Sequence, residues 1–574
     1  MKGFYTLHAR SEHYFKLPDH SIMQTTILGK IKVNGLPFLL YIIGLAIILP
    51  FTMWYVNNPD AFQYISLARK WSTGNFSTAV NGYWSPLISW LIAIPLSFGI
   101  GGIVSFKIVQ IIVGFFTIHA WNRLLEMASL SKKYHQALQT IIVPFVLVYG
   151  MLNPTPDLLF MTLVFYSLII LLKKDWRTSW KWSIILAFIG AALFFTKAFG
   201  LPFFITIILV FGASQLLINK ETKILQRLIA ILSFSLSISC LWIVPLSMKY
   251  DQVTISKAAS FNMSKEVAPM PGQIMKLPVL NGPLLNPPDT LAISAWEAPG
   301  DYLKLNPVSP LKSPENFDYY SELIKRNFLT IWYFDFRNQI GIIFLLIFFF
   351  FLFTKGIKVI LENRLVVLLF ATLIAFYFGY SLILVHTRYI WICSWLMLLL
   401  STWMLEKIAG EIKWKVKISG AIFLVLLLVA VKRPIKEILF TQDSDMPFIW
   451  LSQGILNPIV TLNITYRPDK QLHETSLALA PLLKRRNRIA SLQSDDHTRH
   501  TYSSSLFIAE ALSAQYFGPL SDTLLTVDAE AQLKQYGISV FLVWDHVSWI
   551  AENENWVEKI YVDQDLGLKV YAIR

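Results

Sequence analysis

The sequence predicts a polytopic α-helical membrane protein with a small α/β domain at its C-terminal end. Only 15% of the 574 residues are charged and 55% are hydrophobic, where a soluble chain carries about 25% charged residues. Mean hydropathy is +0.52. The apolar residues also come in blocks: Leu36–Val56, Ala137–Leu152, Leu228–Ser247, Leu365–Val385 and Ile418–Val431 are almost free of charge. A span needs about 20 such residues, fewer at the short end of the range.

Taken in order, spans are expected at 36–56, 105–122, 137–152, 157–172, 182–199, 201–218, 228–247, 338–354, 365–385, 389–405 and 418–432. Alternate connectors are short and basic: Arg123, Lys132 and Lys133; Lys173, Lys174, Arg177 and Lys181; Lys220, Lys223 and Arg227; Lys355, Lys358 and Arg364; Lys407, Lys413, Lys415 and Lys417. The N-terminal tail, residues 1–35, adds Lys2, Arg10, Lys16, Lys30 and Lys32. The positive-inside rule puts this set in the cytoplasm. The net charge of +14 is therefore a topology signal, and no nucleic-acid partner is expected. Cys240 and Cys393 sit inside apolar blocks and read as packing residues. The first 32 residues are polar and Leu36–Val56 is too long for a signal h-region, so no removable signal peptide is expected.

Leu87–Val104 is apolar too, but if it crossed, every later basic loop would lie outside. Pro86, Pro95, Gly99, Gly101 and Gly102 fit an interfacial or re-entrant helix packed on protein. Three large segments then lie outside: 57–104, 248–338 with its many prolines, and the tail. The transmembrane domain is expected over 36–432 and an extracytoplasmic α/β domain over 433–574. In that domain Arg488–Leu492, Val540–Trp544 and Leu568–Ile573 read as strands and Ser505–Ala514 as a helix.

The residues with chemistry gather on the outer face. Asp60 follows Pro59 and heads the helical pattern Ala61–Trp71; Asp157 follows Pro156 between two spans. Either one also suits a plain helix N-terminal charge, stabilising by about 0.3–1 kcal/mol. Two such acids on one side suit acid–base work. Lys197 follows a fully apolar stretch. A charge at bilayer depth costs about 2.5–3.5 kcal/mol, so it pairs, lines a cavity or snorkels. His386-Thr387-Arg388-Tyr389 is a short outer connector with an arginine. It suits phosphate, or an interfacial anchor with Tyr389 in an aromatic belt. Trp296-Glu297 joins an aromatic face to a carboxylate, suited to a sugar or a cation, or to a membrane surface.

Asp60-x-x-x-Tyr64-x-x-x-Ala68, then Asn81-Gly82-Tyr83-Trp84-Ser85-Pro86-Leu87, resembles the first outer loop of GT-C glycosyltransferases, of the protein-mannosyltransferase-like and aminoarabinose-transferase-like kind. Thr155-Pro156-Asp157, Thr196–Gly200, Trp296-Glu297 and Arg388-Tyr389 match in order and side. The resemblance covers roughly 36–405 and is weak over the tail. It implies a bacterial inner-membrane transferase that takes sugar from a polyprenyl-phosphate donor on the periplasmic side. Asp60 inherits the catalytic role, with Asp157 beside it and Lys197 and Arg388 on the donor phosphate. Tyr64, Tyr83, Trp84, Trp296, Glu297, His386 and Tyr389 are candidates for contacting sugar or acceptor. Protein mannosyltransferases pair Asp with Glu in that loop, whereas Ala61 follows Asp60 here, so a protein acceptor is not implied. The acceptor stays open among glycan, lipid and protein. No ligand-spacing motif demands a metal, although Asp60 and Asp157 could share a divalent ion. Two rivals share the topology: an exporter or flippase of lipid-linked glycans, and an envelope glycan polymerase or ligase.

Overall fold

The computed structural model describes residues 35–56, 58–173, 175–219, 222–266, 284–302, 309–337, 340–410, 413–439, 468–483, 487–493, 498–521, 529–544 and 554–574. Pro269, Pro271, Pro278 and Pro283 of the expected large outer loop lie outside the described residues.

Each expected span coincides with a helix. The first ten helices are α1 (Leu36–Thr52), α2 (Asp60–Ser72), α3 (Phe76–Ala79), α4 (Leu87–Ser97), α5 (Gly102–Met127), α6 (Lys132–Leu152), α7 (Asp157–Leu172), α8 (Trp180–Thr196), α9 (Gly200–Asn219) and α10 (Thr222–Lys249). Later come helices Ile340–Lys355, Arg364–Ser381, Trp391–Ala409 and Lys413–Leu439. Among the described residues, six helices are long and apolar enough to cross a membrane on length alone. Five of the expected spans are shorter or broken, among them Asp157–Leu172 and Trp180–Thr196. The protein is a multi-pass membrane protein. Burial separates inner from outer helices: 78% of the Thr387–Ala409 window is buried, against 17% for Trp414–Lys432. The outer helices show lipid-like faces, such as Leu39, Ile43 and Ile47 on α1 and Phe349 and Phe353 on Ile340–Lys355.

The first connector stays at one end of the bundle. Lys107, in the second turn of α5, donates from Nζ to the Tyr55 carbonyl just past α1 at 2.7 Å, and to the Met151 carbonyl at the end of α6. So α5 leaves from the end where α1 arrived, and α2 to α4 do not cross. At about 1.5 Å per residue, the 11 residues of α4 reach roughly half of a 30 Å core. Helix α4 packs on α2, Ser89 Oγ donating to the Tyr64 carbonyl at 3.0 Å.

The C-terminal part is an α/β unit, as expected, but with more elements. Five strands, β1 (Arg488–Gln493), β2 (Gln515–Ser521), β3 (Val540–Val543), β4 (Val557–Asp563) and β5 (Leu568–Ile573), lie in the order β2-β1-β3-β5-β4. The pairs β1–β2 and β1–β3 are parallel; β3–β5 and β4–β5 are antiparallel. Among the described residues it has three helices, Pro468–Leu479, Thr498–Ala511 and Ala529–Gln535, and the second starts earlier than the expected Ser505. The last bundle helix continues past the apolar block to Leu439.

The sheet does not stand alone. Its β2 edge takes up the large loop. Tyr516 N–H donates to the Ile293 carbonyl at 2.7 Å, and Leu285 N–H to the Phe517 carbonyl at 2.8 Å. Gln515 Nε2 donates to the Asp289 and Ala292 carbonyls at 2.9 and 3.1 Å. A bare sheet edge would leave such groups unpaired.

Candidate active site

Asp60, Asp157, Lys197 and Arg388 meet at one end of the bundle, each from a different stretch of chain. Asp60 opens α2 behind Pro59, whose φ of −60° already suits a helix. Its N–H donates to Asn58 Oδ1 at 3.0 Å. Asp157 opens α7 behind Pro156. Lys197 follows the last residue of α8 with extended backbone, φ −151° and ψ 137°. That break turns the chain toward α9 and keeps the lysine out of the helix. Arg388 lies in the 3₁₀ turn Thr387–Ile390.

The four charges form a crossed array. Arg388 Nη2 donates to Asp60 Oδ2 at 2.7 Å, and its Nε lies 3.8 Å from Asp157 Oδ2. Lys197 Nζ donates to Asp157 Oδ1. Thr155 Oγ1 donates to Asp157 Oδ2 at 2.7 Å. The Trp296 indole N–H donates to Asp60 Oδ1 at 3.1 Å. Exposure ranks the acids: the Asp60 side chain is 15% exposed and that of Asp157 only 4%. Asp60 is the more accessible acid and Asp157 the more deeply held one.

Aromatic rings wall the array. Lys197 Nζ lies 3.7 Å from the centroid of the Tyr389 ring, a cation–π contact, and Tyr389 stacks on Tyr380 with centroids 5.1 Å apart. His386 meets Tyr389 edge-on. His386 itself stays exposed to solvent. Tyr83 Oη donates to Asn262 Oδ1 at 3.1 Å.

Three expected contact residues are buried. Tyr64 and Trp84 are buried and pack edge to face, centroids 5.1 Å apart. They build the first loop rather than line an open face. Glu297 is 1% exposed, and its carboxylate is taken by Lys70 and Ser66. Burial pushes its carboxyl up while Lys70 opposes the shift. A carboxylate so enclosed is a core counter-ion and has no surface to offer a sugar.

Sequence reasoning missed two residues on α5 that hold the approaches to both aspartates. Lys107 binds the carbonyls of Tyr55 and Met151, and Gln110 Nε2 donates to the Thr155 carbonyl at 2.7 Å. The signal was available: a lysine inside an apolar span demands a partner.

Among solved structures, the chain is similar to the apo oligosaccharyltransferase of Archaeoglobus fulgidus, with a TM-score of 0.50 and 10% identity over 89% of this chain and 70% of that one. The chain has a GT-C-type fold. It is also similar to ArnT from Cupriavidus metallidurans, solved bound to undecaprenyl phosphate, with a TM-score of 0.49 and 13% identity over 94% of this chain and 98% of that one. No family model and no curated protein matches the sequence. At such identities the likeness speaks for the fold alone, and a fold does not by itself assign a reaction. In this GT-C-type fold the charged array lies where the starts of α2 and α7, the α8–α9 break and the Thr387–Ile390 turn converge.

Proposed function

We propose that the chain is a glycosyltransferase that moves a sugar from a polyprenyl-phosphate donor to an acceptor hydroxyl, with inversion. Its site faces the periplasmic side of a bacterial inner membrane. The observation that carries this reading is the crossed array: an acid, Asp60, the more exposed of the two, held in one array with two cations, Arg388 and Lys197. The GT-C-type fold, shared with an oligosaccharyltransferase, agrees with it.

The array supplies both halves of a displacement. Asp60 accepts the proton of the acceptor hydroxyl as its oxygen attacks the anomeric carbon. The bond from that carbon to the phosphate oxygen breaks, and the polyprenyl phosphate leaves with the electron pair. General-base help is worth about 10²–10⁴-fold. Arg388 and Lys197 meet the charge that grows on the leaving phosphate, in a site drier than bulk water. A single displacement, with Asp60 and the acceptor on the sugar face opposite the leaving phosphate, predicts inversion. Asp157, occupied by Thr155 and Lys197, acts as the anchor that aims the cations.

Arg388 Nη2 donates to Asp60 Oδ2 at 2.7 Å. A donor phosphate would compete for that guanidinium and release an Asp60 oxygen for the acceptor, so donor binds first. The guanidinium also stands between the two aspartates, where a shared divalent ion would have to sit. Among the described residues no three of His, Cys, Asp and Glu gather to hold a metal. No step of the proposed reaction is routed through a metal.

The test is mass spectrometry of envelope glycans from cells with the wild-type chain and with Asp60→Asn. The reading expects one glycan to lose a single sugar in the variant, which names both sugar and acceptor. Identical glycan profiles would contradict it.

A further inference from the structure

Beside the charged array lies a second, buried ionic cluster that the proposed reaction does not use directly. Helix α2 carries Gln63, Ser66 and Lys70 at spacings of three and four, one face of a helix. That face receives the segment 289–297 of the large loop. Gln63 Nε2 donates to Ser294 Oγ at 3.2 Å. Ser66 Oγ donates to Glu297 Oε2 at 2.5 Å and accepts from the Ile293 N–H at 3.2 Å. Lys70 Nζ reaches Glu297 Oε1 and, at 2.6 Å, Asp289 Oδ2. Both Lys70 and Glu297 are buried, at 0% and 1% exposure. Asn81 Nδ2 donates to the Glu297 carbonyl at 2.7 Å, and Trp84 Nε1 to the Trp296 carbonyl at 3.3 Å.

These bonds close on one side chain. Trp296 is flanked by Ala295 and the clamped Glu297 within the 3₁₀ turn Ala295–Glu297. Its backbone carbonyl is held by Trp84, and its indole N–H rests on Asp60 Oδ1. Asp60 itself is at the start of the same α2 that bears Lys70. The cluster thus fixes the distance from helix to loop, and with it the angle at which the indole meets the acid.

We propose that Lys70 and Glu297 are a positioning pair for Asp60, acting through Trp296: they hold its indole N–H on Oδ1 so that the carboxylate is aimed at the acceptor. The inference rests on Asp60 being the base of the proposed transferase. A merely structural pair would lower the amount of folded protein; a positioning pair changes turnover in the protein that folds.

The test combines kinetics with a signal independent of activity. Glu297→Gln keeps the side-chain shape, and Trp296→Phe keeps the ring while removing the N–H. In purified protein, each is expected to lower kcat about tenfold or more, with KM for the lipid donor changed less than about threefold. Combined, they lose no more than the worse of the two, because residues that act as one unit are non-additive. The second signal is ¹⁹F NMR of protein labelled with fluorotryptophan. The Trp296 resonance, identified by its loss in Trp296→Phe, is expected to shift in both Asp60→Asn and Glu297→Gln. Multiplying losses in the double variant, or a Trp296 resonance unmoved by Glu297→Gln, would overturn the proposal. If the wild type transfers no sugar at all, the transferase reading falls, and the resonance alone decides the positioning.

Discussion

Arg388 touches both aspartates, at 2.7 Å and 3.8 Å, so one guanidinium sets the charge balance of the whole array. Its planar fork lets one face serve Asp60 while Nε turns to Asp157. Charge-assisted hydrogen bonds contribute about 1.5–3 kcal/mol each. Removing one donor to the phosphate therefore weakens donor binding about 10- to 100-fold. Arg388→Ala and Lys197→Ala should each show this loss in direct binding of the lipid-phosphate donor. Arg388→Lys should not restore it, since a point charge cannot reach both acids. Unchanged donor affinity in both alanine variants would remove the clamp. These four residues were legible because each is a charge set beside a proline or a turn at the edge of an apolar block. Lys70 was not, because its partner Glu297 lies 227 positions away. Nothing local in α2 marks that lysine as buried.

Elements were legible where burial imposes one pattern. The spans follow their apolar blocks closely, and 157–172 coincides with α7. Non-crossing α4 was readable through the charge of distant loops. Strands β1, β3 and β5 were visible as apolar runs, while β2 and β4 were not. Strand β2 contains Gly518 at φ +112° followed by Pro519, opposite a register shift in β1. Strand β4 is an edge strand with only half-buried and exposed residues, and its apolar signal is diluted. A sharper consequence concerns the α8–α9 break. A Cβ on Gly200 would strike the backbone of Leu193 and Phe194, which cannot move aside as a side chain can. Gly200→Ala must pry α9 from α8 at the turn that presents Lys197. Overpacking costs about 1–3 kcal/mol. The variant should melt several degrees lower and bind donor more weakly. A melt and a donor affinity equal to wild type would contradict this account of the turn.

At the scale of the whole molecule, the site's position follows from parity. The chain enters the site end through α1, leaves it through α5, and returns at the α6–α7, α8–α9 and 382–390 connectors. The basic connectors fall at the other end, and under the positive-inside rule this arrangement is what the proposed outward-facing site requires. Cysteine labelling checks this in a chain with Cys240 and Cys393 replaced by serine. A membrane-impermeant maleimide should reach Ser77→Cys in intact spheroplasts, and Glu362→Cys only after lysis. Labelling of both from the same side would break the topology. The C-terminal sheet was read as a separate domain, yet its β2 edge holds the loop segment that carries Trp296. That coupling was hidden because strand–loop pairing leaves no periodicity in either partner. The central claim, that Asp60 is the base of a polyprenyl-phosphate sugar transferase, is met most directly by reconstituted transfer. Purified wild type and Asp60→Asn are given the lipid-linked donor and the acceptor. The account predicts transfer by the wild type and a fall of at least about 100-fold in the variant, with donor still bound. Transfer by Asp60→Asn at the wild-type rate would contradict it.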